Sequence, residues 1–304
     1  MRVLVTGASG AIGSAVCDAL LARGDEVVGL SRNPDEARAT NPTVRWHAWQ
    51  ATSERPPRAA LEGVDGVVNL IGEEINQRWN AEVKQRILET RERSTKNVVD
   101  AIVAAEPRPR VLVSGAAVGY YGLECGDAML DEDRPPGSDF LAQVVVAWEA
   151  AARQAEGAGV RVATVRTGLY LDPASGLLKQ LLPPFRLGLG GPLAGGEQYM
   201  PWIHRADEVG LILWALDNES VSGAYNAAAP NPVRNREFSK ALGRTLRRPA
   251  ITPAPKLAVT ALRGPEVADF VTASLRVVPR RALDAGFTFR FPDLEPALQD
   301  LLHR

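Results

Sequence analysis

The sequence predicts an α/β protein built on a doubly wound parallel sheet, and three features point to this fold. Short runs rich in β-branched residues alternate with longer helical stretches through the first half of the chain. A glycine-rich turn joins the first of these runs to the first helix. The chain has 304 residues, 45% of them hydrophobic, so it can bury one large core or two unequal ones.

The strands and helices of the first half follow from hydrophobic periodicity. In the first predicted helix, Ile12, Val16 and Leu20 recur every four residues and form a stripe that can pack on the sheet. Long helices are also expected near residues 80–105 and 141–156. The predicted strands are Val3–Val5, Val27–Leu30, Val44–Trp49, Gly66–Leu70, Val111–Ser114 and Val160–Val165.

The alternation of strands and helices stops after Arg166. The pair Pro183-Pro184 and the glycine-rich tract Leu187–Gly196 predict irregular structure, with the tract as a loop that lines a cleft. Asp207 is expected to cap a helix over Val209–Leu216.

A further strand over Ala224–Ala228 is expected to return to the first sheet. Helical segments interrupted by prolines follow it and suggest a compact cap. The prediction is therefore a larger domain over residues 1–168 with a return at 200–229, and a smaller, discontinuous C-terminal cap domain over residues 169–199 and 230–304.

The glycine-rich turn reads T-G-A-S-G-A-I-G over residues 6–13, between a predicted strand and a predicted helix. Gly7 permits a sharp turn, Gly10 lets backbone amides approach a pyrophosphate, and Gly13 lets helix and strand pack closely. The free amides and positive end of the helix then face the anion. This context predicts a Rossmann-like dinucleotide-binding domain, and a turn without a ligand is the alternative. The expected contacts are Gly7, Ser9, Gly10, Ala11, Ile12 and Gly13.

The end of the second predicted strand indicates which dinucleotide binds. A carboxylate there would accept hydrogen bonds from the adenosine 2′-hydroxyl and repel a 2′-phosphate, but this chain has Ser31 and Arg32. Since the arginine fork and the serine hydroxyl can both donate to phosphate, NADP(H) is favoured over NAD(H). The alternative is that Arg32 is a solvated residue that opens the next loop.

Composition excludes several classes of partner. The formal net charge of −1 provides no global field for nucleic acid or an anionic membrane, so a small-molecule substrate is expected. Cys17 and Cys125 lie far apart, which fits a reducing compartment, and with no predicted signal peptide we expect a cytoplasmic protein. His47, His204 and His303 show no metal-ligand spacing, so no metal is expected.

Longer strings resemble a known family. With TGASGAIG, LSR, NLIGE, VSGAAVGYYG and PWIH, the chain resembles the extended short-chain dehydrogenase/reductases. It is more narrowly similar to the epimerase-family branch that ends in a small domain of unknown function, through RWNAEVKQRILETR, FRLGLGGPLAGGEQYMPWIH and VVPRRALDAGFTFRFPDLEPAL. The resemblance implies a Rossmann domain, bound NADP(H) and a cleft below the cap, but no particular substrate. By position it also implies cofactor contacts from Leu70, Ile71, Gly72, Glu73, Arg91, Arg166 and Gly168.

The chain departs from this family in its catalytic residues. Relatives use a tyrosine with a lysine four residues later, yet none of the five tyrosines here is followed by lysine at that spacing. The helix where the pair belongs reads FLAQVVVAWE, and Ala116 and Ala117 occupy the segment expected to carry an orienting hydroxyl. Ser114 comes too early in that segment and is expected to bond locally.

Tyr121 is the first candidate for a catalytic acid, because the turn after the fifth strand lies at the carboxyl edge of the sheet. Tyr120 is the second, and the alternative for both is a hydrogen-bonded wall of the cleft. The leading functional hypothesis is an NADP(H)-dependent oxidoreductase or epimerase acting on a small carbonyl or sugar-like molecule. The alternative is a non-catalytic NADP(H)-binding redox sensor or scaffold, so the sequence leaves open whether the chain is an enzyme.

Overall fold

Strands and helices alternate along most of the chain in a computed structural model that describes residues 1–303. The strands are β1 (Arg2–Thr6), β2 (Glu26–Ser31), β3 (Arg45–Ala48), β4 (Gly66–Asn69), β5 (Val111–Ala117), β6 (Met129–Leu130), β7 (Arg161–Thr167), β8 (Leu169–Leu171), β9 (Tyr199–Met200), β10 (Trp202–His204), β11 (Gly223–Ala227), β12 (Val233–Arg234) and β13 (Arg276–Val277). The helices are α1 (Ala11–Ala22), α2 (Pro34–Thr40), α3 (Arg58–Leu61), α4 (Ala81–Ala104), α5 (Phe140–Arg153), α6 (Gly176–Arg186), α7 (Arg205–Asp217), α8 (Asn235–Leu246), α9 (Lys256–Arg263), α10 (Pro265–Thr272), α11 (Arg280–Asp284) and α12 (Leu294–Leu302). Short 3₁₀ turns cover Val118–Tyr121 and Gln154–Ala158.

A seven-stranded parallel sheet forms the centre of the molecule, in the order β11-β7-β5-β4-β1-β2-β3. One apolar core lies between the sheet and helices α1 and α7, and another lies on the opposite face under α4. Strands β2 and β3 are added on one side of β1, and β4 and the later strands on the other side. The order of strand addition therefore reverses between β1 and β4, and such a point leaves a crevice at the carboxyl ends of the two strands. The doubly wound fold is confirmed, and the strand expected at Ala224–Ala228 is β11.

The cap has its own apolar cluster, and small two-stranded ribbons, β10-β8, β12-β9 and β13-β6, lie beside the main sheet. Helices α6, α8 and α12 contribute Leu178, Phe185, Phe238 and Leu298 to this cluster, all 2% exposed or less. The cap also reaches the start of α4, where Lys84 pairs with Glu266 of α10 at 2.5 Å. The exact division into domains stays a prediction.

The prediction for Pro183-Pro184 is wrong. Both prolines lie inside α6 rather than in irregular structure. The buried stripe of Leu178, Leu182 and Phe185 explains this, because packing of an amphipathic face can outweigh the hydrogen bonds that proline removes. The tract that follows is irregular as expected, and its backbone bonds to residues 252–254.

Asp207 does not cap α7. The helix begins at Arg205, and Nδ1 of His204 accepts a hydrogen bond from the Ala206 amide at 3.0 Å. Asp207 instead accepts hydrogen bonds from the amides of Arg290 and Phe291 at 2.6 and 2.9 Å. These amides belong to a segment 83 and 84 residues away, so local sequence does not reveal the partner.

Candidate functional site

The glycine-rich turn forms a compact bend between β1 and α1. Gly7 has a φ of +64°, and its carbonyl oxygen accepts a hydrogen bond from the Gly10 amide at 2.9 Å. A Cβ atom at Gly7 would lie 2.8 Å from the Leu70 carbonyl oxygen, and one at Gly13 would clash with the Gly7 carbonyl oxygen. The turn therefore lies directly against the end of β4 and leaves no space for side chains at these positions.

The first turn of α1 presents unsatisfied backbone donors. Gly10 is the N-cap and provides no side-chain cap. The amides of Ala11, Ile12 and Gly13 have no acceptor within residues 1–303, as expected for a first helical turn. Ser9, Gly10 and Ala11 are exposed, so a ligand can reach this end of the helix. Free amides at a positive helix end fit a pyrophosphate.

A buried polar network supports the turn from below. The Thr6 hydroxyl donates to Asn69 Oδ1 at 2.7 Å and accepts a hydrogen bond from the Leu70 amide at 3.1 Å. Asn69 Nδ2 donates to Thr95 of α4 at 2.9 Å and to the Ser114 hydroxyl at 3.4 Å. The network joins β1, β4, β5 and α4 beside the crevice. In the sequence, this network is indicated by the polar residues Thr6 and Asn69 at the ends of otherwise apolar strands.

Ser31 and Arg32 lie at the carboxyl end of β2. The Ser31 hydroxyl accepts a hydrogen bond from the Asn33 amide at 3.1 Å. Arg32 is exposed and has no ion pair with any carboxylate in the described part of the chain, whereas Arg38 on α2 pairs with Asp35 at 2.9 Å. The Arg32 guanidinium is thus available to an external anion.

Residues after β4 lie between the turn and α4. Arg91 is half-buried against Gly72, where a Cβ atom would come 3.0 Å from the Arg91 Cζ. The Arg91 guanidinium lies 5.2 Å from the Trp148 ring centroid and donates to the Ile87 carbonyl at 3.2 Å. Burial lowers the pKa of Arg91 to about 10, against a smaller opposing effect of Glu73.

The structure therefore brings Gly7, Leu70, Gly72 and Arg91 into one region. Glu73 is engaged by α4, because its amide donates to the Thr90 hydroxyl at 3.0 Å and its carboxylate lies 3.6 Å from Arg86 Nε. Contacts of Leu70, Ile71, Gly72, Glu73 and Arg91 with a cofactor stay predictions.

Arg166, in β7, is buried between an acidic and an aromatic partner. Its side chain forms a bidentate pair with Glu149 of α5 at 2.7 and 3.0 Å. Its Cζ lies 3.4 Å above the Tyr120 ring, and the residue is 3% exposed. Burial disfavours the charge, but the Glu149 bond and charge outweigh it and raise the pKa of Arg166. Arg166 therefore joins β7 to α5, and its predicted cofactor contact stays a prediction.

Gly168, which follows β7, is in close contact with neighbouring backbone. Its amide donates to the Ala227 carbonyl at 2.9 Å, and a Cβ atom would clash with the Pro201 carbonyl oxygen. Glycine is thus required for packing, and its predicted cofactor contact stays a prediction.

Tyr121 is enclosed rather than open to the crevice. It is 4% exposed, and its hydroxyl lies 2.7 Å from Asn226 Oδ1 and 3.0 Å from the Asp131 carbonyl oxygen. Burial raises the pKa of Tyr121 to about 12, although Arg166 lowers it. Because a general acid works best with a pKa near the working pH, this geometry favours the hydrogen-bonded wall over the acid. Ser114 is fully buried, and its hydroxyl donates locally to the Gly115 carbonyl at 3.2 Å, as expected, in addition to its hydrogen bond from Asn69.

Glu208, like Glu149, is a buried titratable group that the sequence predictions did not include. It lies in α7, is 0% exposed, and its Oε1 accepts a hydrogen bond from the Thr167 hydroxyl at 2.7 Å. Burial raises the pKa of Glu208 to about 8, against a lowering by Thr167. A signal existed in the sequence, because Glu208 falls on the helical stripe of Leu211, Ile212 and Ala215.

Among the described residues, no cluster of three or more His, Cys, Asp or Glu side chains could hold a metal ion. No helix there combines the length and apolar character needed to cross a membrane. Cys17 and Cys125 are free.

Comparison with known proteins gives two family matches. The family described as "NAD dependent epimerase/dehydratase family" matches residues 3–228, and "Domain of unknown function (DUF1731)" matches residues 254–301. The bovine epimerase family protein SDR39U1 is 40% identical over 307 aligned residues, which cover 99% of this chain and 100% of that protein.

Solved structures extend these similarities. Human epimerase family protein SDR39U1 (isoform 2), crystallised with NADPH, matches with a TM-score of 0.90 and 36% identity over 100% of this chain and 99% of that one. A nucleoside-diphosphate sugar epimerase from Corynebacterium glutamicum matches with a TM-score of 0.80 and 31% identity, covering 100% of this chain and 58% of that one.

Breaking the Arg166–Glu149 pair should destabilise the fold strongly. Arg166→Met or Glu149→Met leaves a buried charge without its partner, which costs about 3–5 kcal/mol in free energy of unfolding. The double variant should lose clearly less than the sum of the single losses, because it leaves neither charge unpaired. Urea denaturation measures all four proteins. Additive losses would show that the two groups are not coupled.

Glu208→Gln should remove a pH dependence of stability. The pKa of Glu208 is raised from 4.5 to about 8 on folding. The contribution of its protonated form to the free energy of unfolding is therefore complete below pH 4.5, and it is lost as the pH rises through 8. Relative to Glu208→Gln, the wild type should lose a few kcal/mol between about pH 5 and pH 8. Denaturant titrations across this range provide the measurement. The exposed Glu219→Gln is the control, and parallel curves for wild type and Glu208→Gln would refute the assignment.

Proposed function

Because the chain belongs to the NAD dependent epimerase/dehydratase family, we propose that it binds NADP(H) and acts as an oxidoreductase or epimerase on a small carbonyl or sugar-like substrate. The observation that carries this proposal is the combination of free amides at the start of α1 with an unpaired Arg32 at the end of β2. The similarity to human SDR39U1, whose structure contains NADPH, supports the choice of cofactor.

The pyrophosphate and the 2′-phosphate of the cofactor each have a separate set of donors. The amides of Ala11, Ile12 and Gly13 hold the pyrophosphate, and the exposed Ser9 lies beside them. The Arg32 guanidinium and the Ser31 hydroxyl bind the 2′-phosphate, which NAD(H) lacks. The adenosine half then extends toward β2 and the nicotinamide half toward the β4, β5 and β7 side of the crevice.

When bound, the nicotinamide supplies hydride chemistry. The chain supplies position and protons. Gly7 and Gly13 allow the close approach of backbone to the pyrophosphate, and Gly168 brings the end of β7 against the segment before α7. We expect a small-molecule partner rather than nucleic acid, in keeping with the net charge of −1. Two free cysteines favour a reducing compartment such as the cytoplasm.

A non-catalytic redox sensor or scaffold is the second candidate. The absence of a tyrosine–lysine pair and the enclosure of Tyr121 favour it. Such a protein would use the same NADP(H) site, and a partner would respond to the redox state of the cofactor.

Arg32→Ala should weaken NADPH binding about 10- to 100-fold, because a charge-assisted hydrogen bond to phosphate is lost. NADH affinity should change little, since NADH has no 2′-phosphate. Fluorescence titration of both cofactors measures the effect, and Arg38→Ala on the neighbouring helix is the matched control. Equal losses for NADPH and NADH would contradict the role of Arg32, and binding of neither to the wild type would overturn the proposed function.

The choice between enzyme and sensor is tested by NADPH oxidation with a panel of carbonyl compounds and nucleotide sugars. An enzyme should oxidise bound NADPH only when its substrate is added. A sensor should bind NADPH without turnover and retain a protein partner in one redox state alone. Substrate-dependent turnover would exclude the purely non-catalytic candidate.

A further inference from the structure

We propose that Glu208 exchanges, through the Thr167 hydroxyl, the proton that accompanies hydride transfer, so that its carboxyl group is protonated beside NADPH and ionised beside NADP⁺. This inference rests on the proposed NADP(H) binding. It assigns to Glu208 the proton-donor role that the tyrosine–lysine pair has in the relatives and that no such pair can have here.

The position of Thr167 supports this role. Thr167 is the last residue of β7, and it pairs with Ala117 of β5 and Ala227 of β11 at the carboxyl edge of the sheet. Neighbouring strands lie about 4.8 Å apart, so the end of β7 is about 14 Å from that of β1, three strands across the sheet. The nicotinamide half of a dinucleotide is expected on this side. Thr167 is half-buried, whereas Glu208 is enclosed behind it.

The surroundings of Glu208 favour a carboxyl group that can change its charge. Oε1 lies 2.7 Å from the Thr167 hydroxyl, and the buried Oε2 has no hydrogen-bond partner within residues 1–303. No lysine or arginine of the described chain lies within 4.0 Å of either oxygen. A buried carboxylate without a cation is costly, so the neutral acid is favoured until a positive charge comes near.

The other titratable groups around Glu208 come from neighbouring elements. Tyr170 of β8 has a buried hydroxyl without a hydrogen-bond partner in the described chain. Burial raises its pKa, the charge of Arg205 lowers it, and Asp172 and Glu208 raise it to a smaller extent. The Arg205 guanidinium lies 3.5 Å from the Asp172 carboxylate, and the Arg205 side chain is more exposed than that of Asp172. Asp207, next in sequence to Glu208, is engaged by the amides of residues 290 and 291. Helix α1, which packs on α7, contributes its apolar face there.

The proton and charge balance is complete. In the reductive direction the hydride leaves NADPH and forms a C–H bond at the substrate carbonyl carbon, so the carbonyl is reduced and the cofactor oxidised. The carbonyl oxygen takes a proton from the Thr167 hydroxyl, which takes one from Glu208. The products are an alcohol, NADP⁺ and the Glu208 carboxylate, whose negative charge offsets the positive nicotinamide ring. Solvent later returns the proton.

The test measures proton release on cofactor binding and needs no substrate. NADP⁺ and NADPH are titrated into the protein by calorimetry at about pH 7.5, in two buffers with different ionisation enthalpies. NADP⁺ should release up to about one proton more than NADPH, because only the oxidised ring is positive. The 2′-phosphate is common to both ligands, so its titration cancels in the difference.

Glu208→Gln should abolish this difference while both cofactors still bind. Tyr170→Phe, the matched control, removes the neighbouring hydroxyl and should leave the difference intact, and Thr167→Ser, which retains the hydroxyl, should also preserve it. A difference that persists in Glu208→Gln would overturn the proposal.

Should Glu208→Gln fail to fold, the wild type alone decides. Its NADP⁺–NADPH difference in released protons should be greatest somewhat below about pH 8, between the pKa values of Glu208 in the two complexes, and small near about pH 5 and about pH 10. Binding of both cofactors with equal proton release across that range would overturn this inference and leave NADP(H) binding standing. Binding of neither cofactor would overturn both.

Discussion

The contact between the start of α1 and the end of β1 determines what this protein can bind. Because Gly7 and Gly13 have no Cβ atom, the backbone of the turn and of the start of α1 can lie directly against the backbone at the ends of β1 and β4. The buried Thr6–Asn69 hydrogen bond holds the two strands together beside this contact, at 2.7 Å. The unsatisfied amides of α1 are therefore fixed at the point where the strand order reverses, which is where doubly wound sheets bind ligands.

The parts of the fold that depend on local pattern could be predicted from the sequence. The signals for the sheet strands, the glycine-rich turn and the return of β11 are hydrophobic periodicity, glycine spacing and runs of β-branched residues. These signals act over a few residues, so they could be read from the sequence. Pro183 and Pro184 were misread, since the tertiary burial of Phe185 outweighs the local rule for proline. Asp207 was misread because its partners come from the end of the chain.

The same distinction holds for the site. Arg32 could be placed from its position at a strand end, whereas Arg166 could not be recognised as a structural group without knowing that Glu149 lies beside it. Glu208 was visible as an acid on an apolar stripe, yet its pairing with Thr167 depends on how α7 packs on β7. In each case the chemistry of the side chain was readable from the sequence, and its partner was a property of the fold.

The hydrogen bonds from residues 290 and 291 to Asp207 have a further consequence. The carboxyl-terminal region lies within the match to the domain of unknown function, but it is fastened to the helix that carries Glu208. Phe291 also stacks on His204 with ring centroids 3.9 Å apart. The two regions matched by the family models are therefore not independent structural domains. A fragment cut there would remove the amides that donate to Asp207 and leave this buried carboxylate of α7 without those donors, so the two matched regions depend on each other for folding.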